Sequence, residues 1–218
     1  MGTQATVGAV PVPQPDHYFT GTPTTASRPS SVDLILPEGR LLTLAVDRGV
    51  FSGDRVDPGT RLLLAEGPTI QAEAKVLVDL GCGYGPLAVS LGLRAPKGAI
   101  VWAVDVNERA RALCSDNAIA NGVGDVVRVV APDQVPADLL VDEIWSNPPI
   151  RIGKAALHRL LEEWLRRLRP DAGRAHLVVH KNLGADSLQR WLTEGGWTTE
   201  RLLSRGGYRV LTARAPVP

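Results

Sequence analysis

Val78-Asp79-Leu80-Gly81-Cys82-Gly83-Tyr84-Gly85-Pro86 is the strongest local pattern in the chain: an apolar strand signal that ends on a glycine cluster and opens into a stretch of helical length. Glycines at such a junction let the backbone approach a ligand and take positive φ, while the first helical turn offers free N–H groups. An ordinary βα turn is the plain alternative. The spacing departs from the dinucleotide fingerprint GxGxxG. Its third glycine, Gly85, comes one residue early, and Pro86 stands where that fingerprint packs against a pyrophosphate.

Working outward, further strands are predicted at 99–104, 126–130, 143–146 and 175–180. Helices are predicted at 86–94, at 107–117 behind an Asn107 cap, and at 157–168, where Leu157, Leu160, Leu161, Trp164, Leu165 and Leu168 keep helical spacing until Pro170. A hairpin is expected over 32–46 around Pro37-Glu38-Gly39, and a short helix over 60–65 behind Asp57-Pro58. After a helix at 187–192, runs at 197–203 and 208–213 flank Arg205-Gly206-Gly207 and read as a second hairpin. Alternating βα units define an α/β class with a parallel sheet covered on both faces, to which the last hairpin adds an antiparallel strand. Three parts are expected: a flexible Pro/Thr/Ser-rich tail at 1–30, a hairpin and helix at 31–70 packed on the core, and a ligand-binding domain at 71–218. His17, Tyr18 and Phe19 interrupt the tail and either dock on a surface or stay free.

Two carboxylates narrow the ligand. Asp79 stands where a pyrophosphate would be repelled and an amine attracted. Asp105, twenty residues past Gly85, ends the second predicted strand, where a carboxylate can accept from both hydroxyls of a ribose. A cationic nucleoside without phosphates fits. S-adenosylmethionine meets each demand, with its ammonium and sulfonium near Asp79 and the backbone of Gly81, Cys82, Gly83 and Gly85, its ribose on Asp105, and its adenine against side chains such as Val106. Asp133 is placed either to accept from the adenine amino group or to make an Asx turn with Gln134. Cys82 reads as space-filling, since no cation or base accompanies it.

A second signal, Asn147-Pro148-Pro149-Ile150, follows the 143–146 strand. The side-chain carbonyl of Asn147 and the backbone carbonyl of Pro148 are two acceptors at a point fixed by consecutive prolines. Together they can hold both hydrogens of an NH₂ group and turn its lone pair toward a methyl carbon. A strand-ending turn is the plain alternative. Arg151 and Lys154 can meet phosphates flanking a flipped nucleotide, or be ordinary solvated charge. Lys181 and Asn182 follow a strand at the sheet's carboxyl edge and are candidates for substrate contact. His176 and His180 share a strand face with no third ligand, so no metal site is expected.

With Asp79 to Gly85, Asp105-Val106-Asn107 and Asn147 to Ile150 in hand, the sequence resembles the class I S-adenosylmethionine-dependent methyltransferases, and specifically the methyltransferase small domain family. The resemblance implies their Rossmann-like fold, a seven-stranded mixed sheet. The Asn147 to Lys154 stretch, Lys181 to Ala185 and Gly206 to Leu211 are similar to the ribosomal RNA guanine-N2 methyltransferase C group and its short single-domain relatives. That implies methylation of a guanine amine in small-subunit ribosomal RNA, with RNA or a ribosomal particle as partner. Phe51, in Gly49-Val50-Phe51-Ser52, resembles a family segment lying over the cofactor, and is otherwise a core aromatic. Two departures stand out: Ile150 where many relatives place a stacking aromatic, and no duplicated N-terminal domain of the kind the ribosomal RNA enzymes commonly carry. Rival readings are a protein glutamine amide or DNA adenine as acceptor, a non-catalytic cofactor- or RNA-binding module, and a nicotinamide dehydrogenase on the doubly wound fold alone.

Composition sets the outer bounds. The 218 residues carry a net charge of +1, so a nucleic-acid partner must be met by a local basic patch. Cys82 and Cys114 are the only two cysteines, which points to a reducing, cytoplasmic compartment. No apolar run approaches the roughly 20 residues of a membrane-spanning helix. Oligomeric state stays open.

Overall fold

The computed structural model describes residues 29–47 and 55–215. His17, Tyr18, Phe19 and Phe51 therefore lie outside the described residues, as does the expected tail up to residue 28. The chain makes a hairpin of β1 (Ser30–Ile35) and β2 (Leu41–Val46), then α1 (Pro58–Glu66). It continues through β3 (Val76–Leu80), α2 (Pro86–Arg94), β4 (Ile100–Val104), α3 (Glu108–Ala120) and β5 (Val127–Val130). The rest is β6 (Glu143–Ser146), α4 (Lys154–Leu165), β7 (Arg174–His180), α5 (Ala185–Glu194), β8 (Thr198–Arg205) and β9 (Tyr208–Arg214).

Seven strands form one sheet in the order β5-β4-β3-β6-β7-β9-β8. β3 to β7 are mutually parallel, while β9 runs antiparallel to both β7 and β8. This is the expected mixed sheet with a terminal antiparallel hairpin. Neighbouring residues of β3 enter opposite cores: Leu77 joins Leu63, Leu87 and Cys114 on one face, and Val78 joins Leu157, Trp164 and Leu188 on the other. Period-two strand geometry sends them apart, and cover on both faces explains why the run is apolar apart from Asp79. The inner side of the β1–β2 hairpin, Val32, Leu34, Leu42 and Leu44, belongs to the first core.

From β3 the chain winds outward through β4 to β5, then returns to β6 on the other side of β3. Such a switch point leaves a crevice at the carboxyl ends of the strands, and here it gathers the segments after β3, β4 and β6. Local chemistry fixes where the helices around it start. Asp57 Oδ1 accepts from the N–H groups of Gly59 at 2.8 Å and Thr60 at 3.1 Å, and Asn107 Oδ1 accepts from Ala110 at 3.0 Å. Gly85 has a φ of 91° and Pro86 opens α2 directly after it. A Cβ on Gly85 would stand 2.7 Å from Cys114 Sγ, so glycine is required there by both conformation and space.

Asn117 is a polar residue on the apolar side of α3, and the structure gives the reason. Its Nδ2 donates to the carbonyls of Ala45 at 2.9 Å and Tyr84 at 2.8 Å, while its Oδ1 accepts from Ala45 N at 2.7 Å. One buried amide thus ties β2 to the glycine loop. Asn117→Ala leaves those backbone groups unpaired and should lower unfolding free energy by about 2–3 kcal/mol in urea denaturation. A change within about 0.5 kcal/mol, as for an ordinary surface substitution, would show that the tie contributes nothing.

Candidate active site

The crevice at the switch point holds a cavity of about 460 Å³, within the size range of small-molecule sites. Its walls include Asp79, Gly81, Cys82 and Gly83 after β3, Asp105 and Val106 after β4, and Asn147, Pro148, Pro149, Ile150 and Arg151 after β6. Three segments singled out in the sequence therefore meet in one space. Pro149 Cδ lies 3.8 Å from where a Cβ on Gly81 would be, which measures how closely the two loops approach.

On the glycine-loop side, Asp105 organises the backbone. Its Oδ2 accepts from Gly83 N at 3.0 Å and its Oδ1 from Asn107 N at 2.8 Å. Each oxygen keeps a further lone pair for a ligand hydroxyl. Arg111 Nη1 donates to the carbonyls of Asp105 at 2.8 Å and Val106 at 2.9 Å, pinning the end of β4. Burial raises the Asp105 carboxyl above its ordinary range against the lowering effect of those N–H groups.

Asp79 is fully buried, with Oδ2 accepting from Ala88 N in the first turn of α2 at 2.9 Å. Its Oδ1 has no partner among the described residues. Burial pushes its pKa up to about 8, helped by the charge of Asp105 and opposed by the Ala88 N–H. An orphaned carboxylate oxygen in a cavity wall is the natural counterpart of a ligand cation, so the residues present fit the ammonium of S-adenosylmethionine.

A pH dependence follows. The carboxyl ionises near 3.8 when exposed and near 8 when folded, so between those values the folded state binds the extra proton. Its contribution to stability is present below pH 4 and declines as pH rises toward 8. A cation at Oδ1 removes that cost by favouring the ionised form. The thermal stabilisation given by S-adenosylhomocysteine, which keeps the ammonium, should therefore grow from pH 6 to pH 8, and Asp79→Asn should flatten the trend. Equal slopes in the two proteins would remove Asp79 from ammonium binding.

On the opposite side, the tetrapeptide makes a tight turn. Pro149 has φ −74° and ψ 71°, and Ile150 N donates to Pro148 O at 2.8 Å, an inverse γ-turn that leaves one lone pair on the Pro148 carbonyl. Asn147 Nδ2 donates to Asp57 Oδ1 at 2.7 Å and to Thr60 Oγ1 at 3.1 Å. A carboxylate oxygen only accepts, so the amide NH₂ must face it and both of its hydrogens are used. The Asn147 carbonyl oxygen is thereby left as the acceptor available to a ligand. Ser146 Oγ donates to Leu80 O at 2.6 Å and locks the end of β6 to β3.

Several expected residues stand outside the cavity wall. Gly85 packs against Cys114 instead. Asp133 is exposed, and in its turn it is Gln134 Oε1 that accepts, from Ala131 N at 2.8 Å. Lys154, Lys181 and Asn182 are exposed and do not line the cavity, although their neighbours Arg151, His180 and Leu183 do. Position at a strand's carboxyl end fixes a neighbourhood, not a direction. Cys82 is buried, and its hydrogen bond with Cys114, then burial, raises its thiol well above the ordinary range, which suits a packing residue.

The sequence reading missed Arg55, Asp57, Thr60, Tyr84, His180 and Tyr208, all of which line the cavity. Asp57 was legible only as a helix cap, and Tyr208 only as the residue after a glycine turn. The Tyr84 hydroxyl is buried without a partner among the described residues. Burial and the Asp57 charge raise both tyrosine hydroxyls, with Arg55 opposing at Tyr208. Among the described residues no cluster of His, Cys, Asp or Glu can hold a metal ion, and no helix is long and apolar enough to cross a membrane.

A family model described as methyltransferase small domain matches residues 41–212. The uncharacterized protein YbxB of Bacillus subtilis (strain 168) is 32% identical over 202 residues, covering 91% of this chain and 98% of that protein. Ribosomal protein L11 methyltransferase of Aliivibrio fischeri (strain MJ11) is 33% identical over 113 residues, covering 51% of this chain and 37% of that enzyme. Among solved structures, the T. thermophilus 16S rRNA N2 G1207 methyltransferase RsmC, in complex with AdoMet and guanosine, matches with a TM-score of 0.67 at 26% identity. That match covers 88% of this chain and 52% of the other, so the chain spans about half the length of that enzyme.

Proposed function

The chain belongs to the methyltransferase small domain family and uses S-adenosylmethionine, and from that premise we propose that it methylates the N2 amine of a guanine in RNA. The observation that carries this reading is the fixed Asn147 amide, whose NH₂ is held by Asp57 and Thr60 so that its carbonyl oxygen is the end left for an amine.

An exocyclic amine conjugated to a ring is a weak nucleophile, because its lone pair is shared with the ring. Asn147 Oδ1 and the remaining lone pair of Pro148 O accept its two hydrogens. That orients the nitrogen and raises its electron density without a general base. When bound, the cofactor supplies an electrophilic methyl group on a sulfonium. Asp79 and Asp105 would hold its ammonium and ribose, and Val106 its adenine. The methylated nitrogen is acidic and gives its proton to water. Ile150 and Leu160 offer the base an aliphatic wall. Arg151, at the cavity, and Lys154, on the surface beyond it, supply charge for flanking phosphates. We take 71–218 as the catalytic domain, with 31–70 contributing Asp57 and Thr60 to the site.

The RsmC structure with AdoMet and guanosine supports guanine as the acceptor. A protein amine is the second reading, favoured by the ribosomal protein L11 methyltransferases among the relatives and by the lack of a stacking ring at Ile150. Labelled methyl transfer into naked ribosomal RNA and ribosomal particles, followed by nucleoside mass spectrometry and peptide mapping, separates them. N2-methylguanosine supports the first reading, and label confined to protein replaces it with the second.

A further inference from the structure

Asp57 stands at the head of α1, 90 residues before the asparagine it touches. A single oxygen, Oδ1, takes three donors: Gly59 N, Thr60 N and Asn147 Nδ2. The other oxygen, Oδ2, has no hydrogen bond among the described residues, although Asp57 lines the cavity. The Asp57–Asn147 pair therefore ends in two free acceptors, Asp57 Oδ2 and Asn147 Oδ1, at either end of one hydrogen bond. Capping a helix needs only one of the carboxylate oxygens. Asn would serve a cap equally well, so the cap does not explain the charge.

What neighbours the target amine differs among substrates. Beside the guanine N2 amine lie N1–H, a donor, on one side and N3, an acceptor, on the other. Beside the amine of adenine or cytosine lies an unprotonated ring nitrogen, and beside a glutamine amide NH₂ lies a carbonyl oxygen; both are acceptors. A carboxylate oxygen next to the amine acceptor forms a charge-assisted bond with the first and repels the others.

Resting on the guanine reading above, we infer that Asp57 is the specificity-determining residue of this site, its Oδ2 accepting the N1–H of guanine while its Oδ1 sets the orientation of Asn147. The selection is for a ring N–H adjacent to an NH₂ group, not for a purine as such. It also assigns a function to the segment before the sheet, which delivers the carboxylate.

The test is equilibrium binding of two nucleosides to the full chain in the presence of S-adenosylhomocysteine: guanosine, and 2-aminopurine riboside, which keeps the amine but has an acceptor at N1. The fluorescence of 2-aminopurine reads its own binding and its displacement by guanosine. The wild type should prefer guanosine by roughly 10–100-fold. Asp57→Asn keeps an acceptor for the three donors and places an NH₂ where Oδ2 was, so the preference should collapse or invert. A wild type with no preference, or a variant with the wild-type ratio, overturns the inference while leaving the guanine reading in place. Binding of neither nucleoside to the wild type overturns both. Because 2-aminopurine also lacks O6, the assignment to Asp57 rests on the variant; should Asp57→Asn fail to fold, Asp57→Ser, which keeps an acceptor for the helix cap, should lose the preference in the same way.

Discussion

Asn147→Ala should cut methyl transfer at saturating cofactor by roughly 10²–10³-fold, the range for removing one preorganised polar group that acts on the reacting centre. Affinity for S-adenosylhomocysteine should be unchanged. The expectation of a rate effect without a binding effect comes from where Asn147 sits. Its partners are Asp57 and Thr60, and among the described residues it makes no hydrogen bond to the glycine loop. Truncation leaves the amine held by Pro148 alone and free to rotate. It also leaves Asp57 Oδ1 with only the two helix N–H groups. Asn147→Asp should not rescue, because a carboxylate would face the carboxylate of Asp57. Were the tetrapeptide only a strand-ending turn, Asn147→Ala would lower the melting temperature and spare the rate of the folded fraction, so both quantities should be measured.

Asp105→Ala should weaken S-adenosylmethionine binding by about 10²-fold or more in calorimetry, since two hydrogen bonds to a charged acceptor are worth roughly 1.5–3 kcal/mol each. The structure adds a second cost. Without the carboxylate, the N–H groups of Gly83 and Asn107 lose their acceptors, and the glycine loop loses its tie to the end of β4. Asp105→Asn keeps acceptor capacity at one oxygen and should fall between the two. An unchanged affinity in the alanine variant would place the ribose elsewhere in the cavity.

The sheet was legible because β-branched runs alternate with helix-length segments, and the loop because its glycines and flanking carboxylates are contiguous. Asp79, one residue before the end of β3, and Asp105 and Asn147, directly after β4 and β6, all line the cavity, in keeping with a local rule that the carboxyl ends of the strands face the crevice. That rule has no directional content one or two residues further on. It placed Asp133, Lys181 and Asn182 near the cavity, where the turns at Pro132 and Lys181 carry them to the surface. Asp57 shows the opposite failure. A cap motif accounted fully for its local sequence, so nothing announced a second bond across 90 residues. Asn117 broke the apolar pattern of α3, and that mismatch was a usable signal of a buried tie.

The central claim is that two carbonyl acceptors at the end of β6 hold an amine toward the glycine loop. The most direct measurement is a crystal structure with S-adenosylhomocysteine and guanosine bound together. The account expects guanine N2 within hydrogen-bond distance of both Asn147 Oδ1 and Pro148 O, on the side of the cavity facing Gly81. A base bound with its amine away from these oxygens, or an Asn147 turned to present its NH₂, would contradict it.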